Sequence, residues 1–364
     1  MTIPNSVECI GTNAFRGCGS LRFVKIPDGA ECIGMNAFEG CRMLNSVHIG
    51  DGVKSIGFGA FDGCISLKFV KIPDGVVWIG EGAFDGCSSL VSIAVGPGNT
   101  SYSSDGQGAL YSKDGRELIR CPEGFSGSFV IPDGVKRIRY SAFEECESLT
   151  SVHIGDDVKY VEDGAFFRCK SLASVHIGNS VKSIGDGMFN GCSSLTSIKI
   201  PDSVNWIGDA AFFDCESLRS VHFGKGVKNI GEGAFALCTS LRSVTIPKNV
   251  ASIGEAAFEG CSSLTSIRIP KGVKWIGDEA FDDYSSLESI SVARGNTAYA
   301  SDEQGALYDK EGTELIRCPC GFSGSFTVPD RAESILGNAF CECRSLTSVA
   351  IPDSVEHIGF NAFR

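Results

Sequence analysis

The chain has 364 residues, 43% of them hydrophobic, a net charge of −12 and a pI near 5.0. That is ample for a core, and the acidic balance excludes nucleic acid as a bulk partner. No run approaches the roughly 20 apolar residues of a membrane span, so no membrane insertion is expected. The opening MTIPNSVECIG also lacks the basic and apolar regions of a secretion signal.

From the N-terminus an Ile-Gly pair recurs at Ile10, Ile33, Ile56 and Ile79, in steps of 23 residues. The position returns at Ile138 after 59 residues, continues by 23 through Val161, Ile184, Ile207, Ile230, Ile253 and Ile276, and steps 59 again to Ile335 before Ile358. Two repeats, around residues 94–129 and 291–326, are therefore 36 residues long. A fixed period overrides the domain count that length alone suggests. The expectation is one solenoid domain over residues 1–364, with both ends falling inside a repeat.

The first long repeat contains GNTSYSSDGQGALYSKDGRELIRCP at 98–122. Ala109-Leu110-Tyr111 and Glu117-Leu118-Ile119 flank Lys113-Asp114-Gly115, a hairpin signal with glycine at the turn. This hairpin is expected to replace the return half of a repeat and to jut from the solenoid. Asn99-Thr100-Ser101 is a glycosylation sequon.

A standard repeat is clearest from Leu195. Leu195, Ile198 and Ile200 have L-x-x-L-x-L spacing, that of a leucine-rich-repeat strand. Residues two apart share a side, so Ile198 and Ile200 face in while Ser197 and Lys199 face out. Pro201-Asp202-Ser203 is a turn. Val204 and Ile207 begin the return side, Gly208 permits a bend, and Asp209 is placed to cap one helical turn at 210–214. Phe212 points inward, and thirteen phenylalanines from Phe15 to Phe363 share its position. No unit can bury its apolar face alone, so neighbours stack into one long parallel sheet. The fold class expected is a leucine-rich-repeat-like right-handed coil, with short turns or helical turns opposite the sheet and two hairpin-bearing long repeats.

Residues 295–319, GNTAYASDEQGALYDKEGTELIRCP, repeat the first long segment at an offset of 197. They end at Cys318-Pro319-Cys320, close to Cys341-Glu342-Cys343. Zinc prefers wider pairs, which leaves a local disulfide or buried thiols; Cys320 and Cys343, 23 apart, are both placed on the buried ladder. Eleven of the 17 cysteines share one repeat position, including Cys18, Cys192 and Cys343, and Tyr284 replaces the cysteine once. A column at constant phase reads as packed, reduced thiols.

No G-x-S-x-G, P-loop, G-x-G-x-x-G or H-E-x-x-H motif occurs. The acidic residues Glu81, Asp186, Asp209, Glu232, Glu255 and Asp278 all follow Ile-Gly and read as caps rather than paired acid and base. No catalytic residue, metal ligand or cofactor site is assigned. The outward strand column carries Lys25, His48, Lys71, His153, His176, Lys199, His222 and Arg268. Beside it run Ser46, Ser92, Ser151, Ser174, Ser197, Ser220, Ser243 and Ser266, with Phe23 and Phe69 early. An acidic chain thus presents a basic, hydroxyl-rich stripe, the candidate face for an acidic protein or a glycan. Trp78, Trp206 and Trp275 form a third column, expected to point outward and a second candidate for partner contact.

Segments such as Ala257-Phe258-Glu259-Gly260-Cys261-Ser262-Ser263-Leu264 resemble the BspA-type, or Treponema-type, leucine-rich repeats, and the resemblance covers essentially the whole chain. It implies a non-enzymatic protein-interaction module of the adhesion or surface-recognition kind, secreted or on the cell surface. The missing signal and the many thiols support the alternative, a cytoplasmic scaffold or assembly subunit associating end to end.

Overall fold

The computed structural model describes residues 1–282 and 286–364; Tyr284 lies outside the described residues. The chain packs as two compact units, Met1–Leu172 and Ala173–Arg364. Each is a parallel β-solenoid, with no helix among the described residues.

In the first unit, strand Phe23–Lys25 pairs in parallel with Ser46–His48, Phe69–Ile72 with Ser92–Val95, and Gly127–Val130 with Leu149–Ile154. The return side is a second ladder of two-residue strands, Cys9–Ile10, Cys32–Ile33, Ser55–Ile56 and Trp78–Ile79, each in register 23 residues from the next. The second unit repeats the plan: Ser197–Lys199, Ser220–His222 and Ser243–Val244 form the front sheet, and Ser183–Ile184 through Trp275–Ile276 the return ladder. Alternation decides which side chains enter: Ile198 and Ile200 are buried, Ser197 and Lys199 exposed.

The phenylalanine column is the spine of the core. Phe189, Phe212, Phe235 and Phe258 are fully buried and stack at 5.0–5.4 Å with rings within 17° of parallel. The cysteine column lies beside it. Cys41, Cys64 and Cys215 each donate to the phenylalanine carbonyl of the preceding coil, at 3.1–3.3 Å. Burial raises these thiols, Cys41 to about 11 and Cys64 to about 12. A disulfide joins Cys9 and Cys32, in-register neighbours outside the column.

The expected helical turn at 210–214 does not form. Ala210 and Asp214 have φ of 51° and 58°, outside any right-handed helix. The segment alternates its donors instead. Ala211 N, Phe213 N and Cys215 N bond three residues back, while Ala210 N, Phe212 N and Asp214 N cross to Glu232 O, Ala234 O and Ala236 O of the next coil at 2.7–2.9 Å. A lone helical turn would leave its first four N–H groups unpaired; here every second donor joins the next coil instead. In the acidic column, Asp186 Oδ1 accepts from Asp209 N at 2.7 Å and Asp209 Oδ1 from Glu232 N at 2.8 Å, so these two carboxylates join coils. Gly208 is required by close approach rather than by a bend, since a Cβ there would lie 2.7 Å from the backbone carbon of Gly185.

The long repeats also differ from expectation. Tyr102–Ser104, Leu110–Ser112 and Glu117–Arg120 form a three-stranded antiparallel meander, and its last strand pairs in parallel with Arg137–Ile138. The hairpin does not jut; it is built into the return ladder and buries Leu110, Tyr111 and Leu118. Tyr299–Ser301, Leu307–Asp309 and Glu314–Arg317 repeat this against Ser334–Ile335. Asn99 starts the meander. It is 1% exposed, its Nδ2 donates to Pro73 O and Val76 O at 2.8 Å, and its Oδ1 accepts from Ser101 N and Tyr102 N. With every polar atom engaged, this amide is no glycan acceptor; the sequon is a structural lock.

Candidate binding face and the long-repeat slots

All eight residues of the basic column are exposed on the front strands. In the first unit Lys25 stands opposite His48, Lys71 opposite Ala94 and His153 opposite Val130. In the second, Lys199 stands opposite His222 and Arg268 opposite Ser291, with His176 on Ser174–Ile177. Serine hydroxyls flank them, as in the 2.7 Å bond of Ser151 Oγ to Ser128 Oγ. Lys25, Lys71, Lys199 and Arg268 have no ion pair among the described residues. Their charges are therefore open to a partner.

The tryptophans do not join this face. Trp78, Trp206 and Trp275 lie on the return ladder, across the Pro-Asp turn from the lysines. Trp78 and Trp275 are exposed as expected, Trp78 edge-on to Phe58 at 5.2 Å, whereas Trp206 is half-buried.

Where the front strands meet the turn, Arg268 borders a cavity of about 410 Å³ with Lys248, Lys271 and Arg294 among its lining residues and no acidic one. Sequence reasoning passed over these three. The signal is present: six repeats follow proline with aspartate, as at Asp202, but two adjacent repeats read Pro247-Lys248 and Pro270-Lys271. Aspartate there accepts a bond from the next coil, Lys225 N to Asp202 Oδ1 at 2.8 Å. Lysine gives that bond up and adds positive charge.

The second break in pattern lies on the return side of each long repeat. From the ladder position to the buried residue that follows, Ile79–Phe84 and Ile138–Phe143 take five steps, but Leu118–Cys121 takes three. Cys121 N bonds Ala142 O, as a phenylalanine N–H does elsewhere, so two residues of the turn are missing. Arg120 spans part of the gap, its guanidinium meeting Asp85 at 3.0 Å, Ser141 O at 2.9 Å and Glu123 at 2.5 Å. Burial pushes the Glu123 carboxyl up to about 7, against the pull of Arg120. Above Arg120 a cavity of about 480 Å³ stays open, bordered by Phe58, Gly82, Phe84, Tyr102 and Tyr140.

The second copy has Arg317 on Asp282 at 2.9 Å, with Cys320 where Glu123 stands and a cavity of about 450 Å³. Cys320 is thus off the thiol ladder. Its sulfur receives Arg317 Nη2 at 3.0 Å, while Cys343 keeps the ladder place against the carbonyls of Cys318 and Pro319. Cys318, Cys320, Cys341 and Cys343 are all free thiols.

Coils of 23 residues, with leucine and isoleucine strands in parallel register, define a leucine-rich-repeat solenoid. The chain belongs to the BspA type leucine rich repeat family, whose model matches in six copies over residues 1–106, 125–241, 207–303 and 318–364. It is similar to the crystal structure of a leucine rich cell surface protein from Faecalibacterium prausnitzii, with 34% identity over 64% of this chain and a TM-score of 0.58; the chain spans 62% of that one. Leucine-rich repeat proteins from Eubacterium ventriosum and Bacteroides ovatus share the fold at 22% and 24% identity, covering 72% and 99% of this chain and 82% of each of theirs, with TM-scores of 0.57 and 0.55. No curated protein matches. Family and fold are those of protein-interaction modules.

Proposed function

We propose that this chain is a non-enzymatic binding module whose front sheet receives an acidic partner, a protein or an anionic glycan, in cell adhesion or surface recognition. The observation that carries the reading is charge reversal. A chain of net charge −12 gathers Lys248, Arg268, Lys271 and Arg294 around one cavity, continuous with the column of Lys199 and His222. Unpaired cations on a rigid sheet attract acidic partners and set the approach rate. Lys25 and Lys71 offer the same chemistry in the first unit, with His48 and His153 on the same column. The surface setting takes support from the Faecalibacterium relative, a cell surface protein.

The test is binding of poly-L-glutamate to the immobilised chain at low salt. The triple variant Lys248→Glu, Arg268→Glu, Lys271→Glu should weaken it at least tenfold, and added salt should weaken the wild type alike. Equal affinity of variant and wild type removes the face. Protease shaving of intact cells tests the setting, since a chain that survives uncut is not displayed.

A further inference from the structure

We propose that each long repeat carries a slot for one extended, uncharged stretch of a partner polypeptide, which restores the backbone bonds lost with the two missing residues. In ordinary coils three donors cross to the next coil: Gly59 N, Phe61 N and Gly63 N reach Glu81 O, Ala83 O and Asp85 O at 3.1, 2.9 and 2.8 Å. One repeat later the neighbour is shortened. Gly86 N is rescued by Glu123 Oε1 at 2.7 Å, but Gly82 N and Phe84 N have no partner among the described residues. On the opposite wall Tyr140 O has no donor, although its counterpart Phe58 O accepts from Asn36 N at 2.9 Å. The second slot matches: Glu279 N and Phe281 N are without partners among the described residues, and so is Gly337 O, whose counterpart Phe360 O accepts from Asn338 N at 3.0 Å. There the buried Nε of Arg317 also has no partner.

Shape and charge choose the occupant. The walls are coils that ordinarily have one coil between them, so the gap is one chain thick, about two spacings of 4.8 Å from wall to wall. Donors on one side and an acceptor on the other are what a peptide backbone pairs with, as in strand addition to a sheet edge. Phe84 and Phe281 are buried residues, and donors left unpaired there are costly, so closure of the ladder favours binding. Glu81 and Asp85 are balanced by Arg120 and Arg139 around the first slot, which suits an uncharged occupant, and Asp278, Glu279 and Asp282 outnumber Arg317 around the second, which disfavours a carboxylate. The volumes fit a few small residues. This inference rests on the reading of the chain as a protein-binding module but uses a different surface, so glutamate substitutions on the front sheet leave it untouched.

The experiment is hydrogen–deuterium exchange of the full chain with millimolar N-acetylated, C-amidated Ser-Ala-Ser-Ala-Ser-Ala. Exchange should slow tenfold or more in segments holding Gly82–Phe84 and Glu279–Phe281. Ile119→Trp, which fills the first slot, should abolish protection there and leave the second slot as an internal control of folding; Ile316→Trp should do the reverse. Insertion of Gly-Asp between Ile119 and Arg120 restores the turn length and should protect Gly82 and Phe84 without peptide. Unchanged exchange with peptide, or protection that survives the tryptophans, overturns the proposal. Equal protection by N-methylacetamide reassigns the slot to small amides.

Discussion

Beside the buried arginine, one position separates the two long repeats chemically. Glu123 and Cys320 occupy the same place beside a buried arginine, but only Glu123 titrates near neutrality. Its folded value of about 7 exceeds that of an unfolded glutamate. Between those values the folded state holds the proton more tightly, so this group's stabilisation is complete at low pH and is lost as pH rises through 7. The difference corresponds to about 3 kcal/mol. Denaturation of the wild type should show the first unit losing stability between pH 5 and pH 8. Glu123→Gln keeps acceptors for Arg120 and Gly86 and should flatten the profile, while Cys320→Ala should leave the slope unchanged. A wild-type profile already flat across this range would show that Arg120 holds the carboxylate charged throughout.

Within one coil, the aromatic stack and the turn around it stand or fall together. Phe212 touches Phe189 and Phe235 at 5.3 and 5.0 Å and is fully buried. Phe212→Ala should cost about 3–5 kcal/mol in denaturant unfolding, the usual range for an emptied aromatic site. A loss below 1 kcal/mol would mean that the neighbouring coils close over the hole. Much of this coil could be read from residue types: alternation placed Ile198 and Ser197 correctly, and constant phase placed Phe212 and Cys215 in the core. The turn could not be read. Asp-Ala-Ala-Phe-Phe-Asp has good helix formers, and its left-handed Ala210 and Asp214 exist because carbonyls of the next coil wait 2.7–2.9 Å away. Such partners lie 23 residues off and leave no local mark. The slots were hidden similarly. The 36-residue period announced an insertion, but the two residues missing opposite it appear only when Cys121 is found in a phenylalanine's place.

Across the whole chain, regularity sets both reactivity and symmetry. Fifteen cysteines are free, of which Cys18 is exposed and Cys341 and Cys343 half-exposed. Thiolate is the reactive form, and burial suppresses it along the column. A thiol reagent at pH 8 should modify Cys18 first and Cys341 and Cys343 more slowly, and reach the other twelve only in denaturant. Rapid native labelling of Cys215 would contradict the packing. The 197-residue offset gives each unit one long repeat, one buried arginine and one slot, so a partner with two suitable segments meets the same geometry twice. The register of 23 carries a kinetic consequence as well. Nearly every strand pairs with a strand one coil away, a separation of about one-sixteenth of the chain length. Sheet proteins ordinarily fold slowly because their partners are remote, and helical bundles quickly because theirs are near. This molecule has the first kind of hydrogen bonding and the second kind of connectivity, so once one coil has closed, growth proceeds by short loops at a bundle's pace.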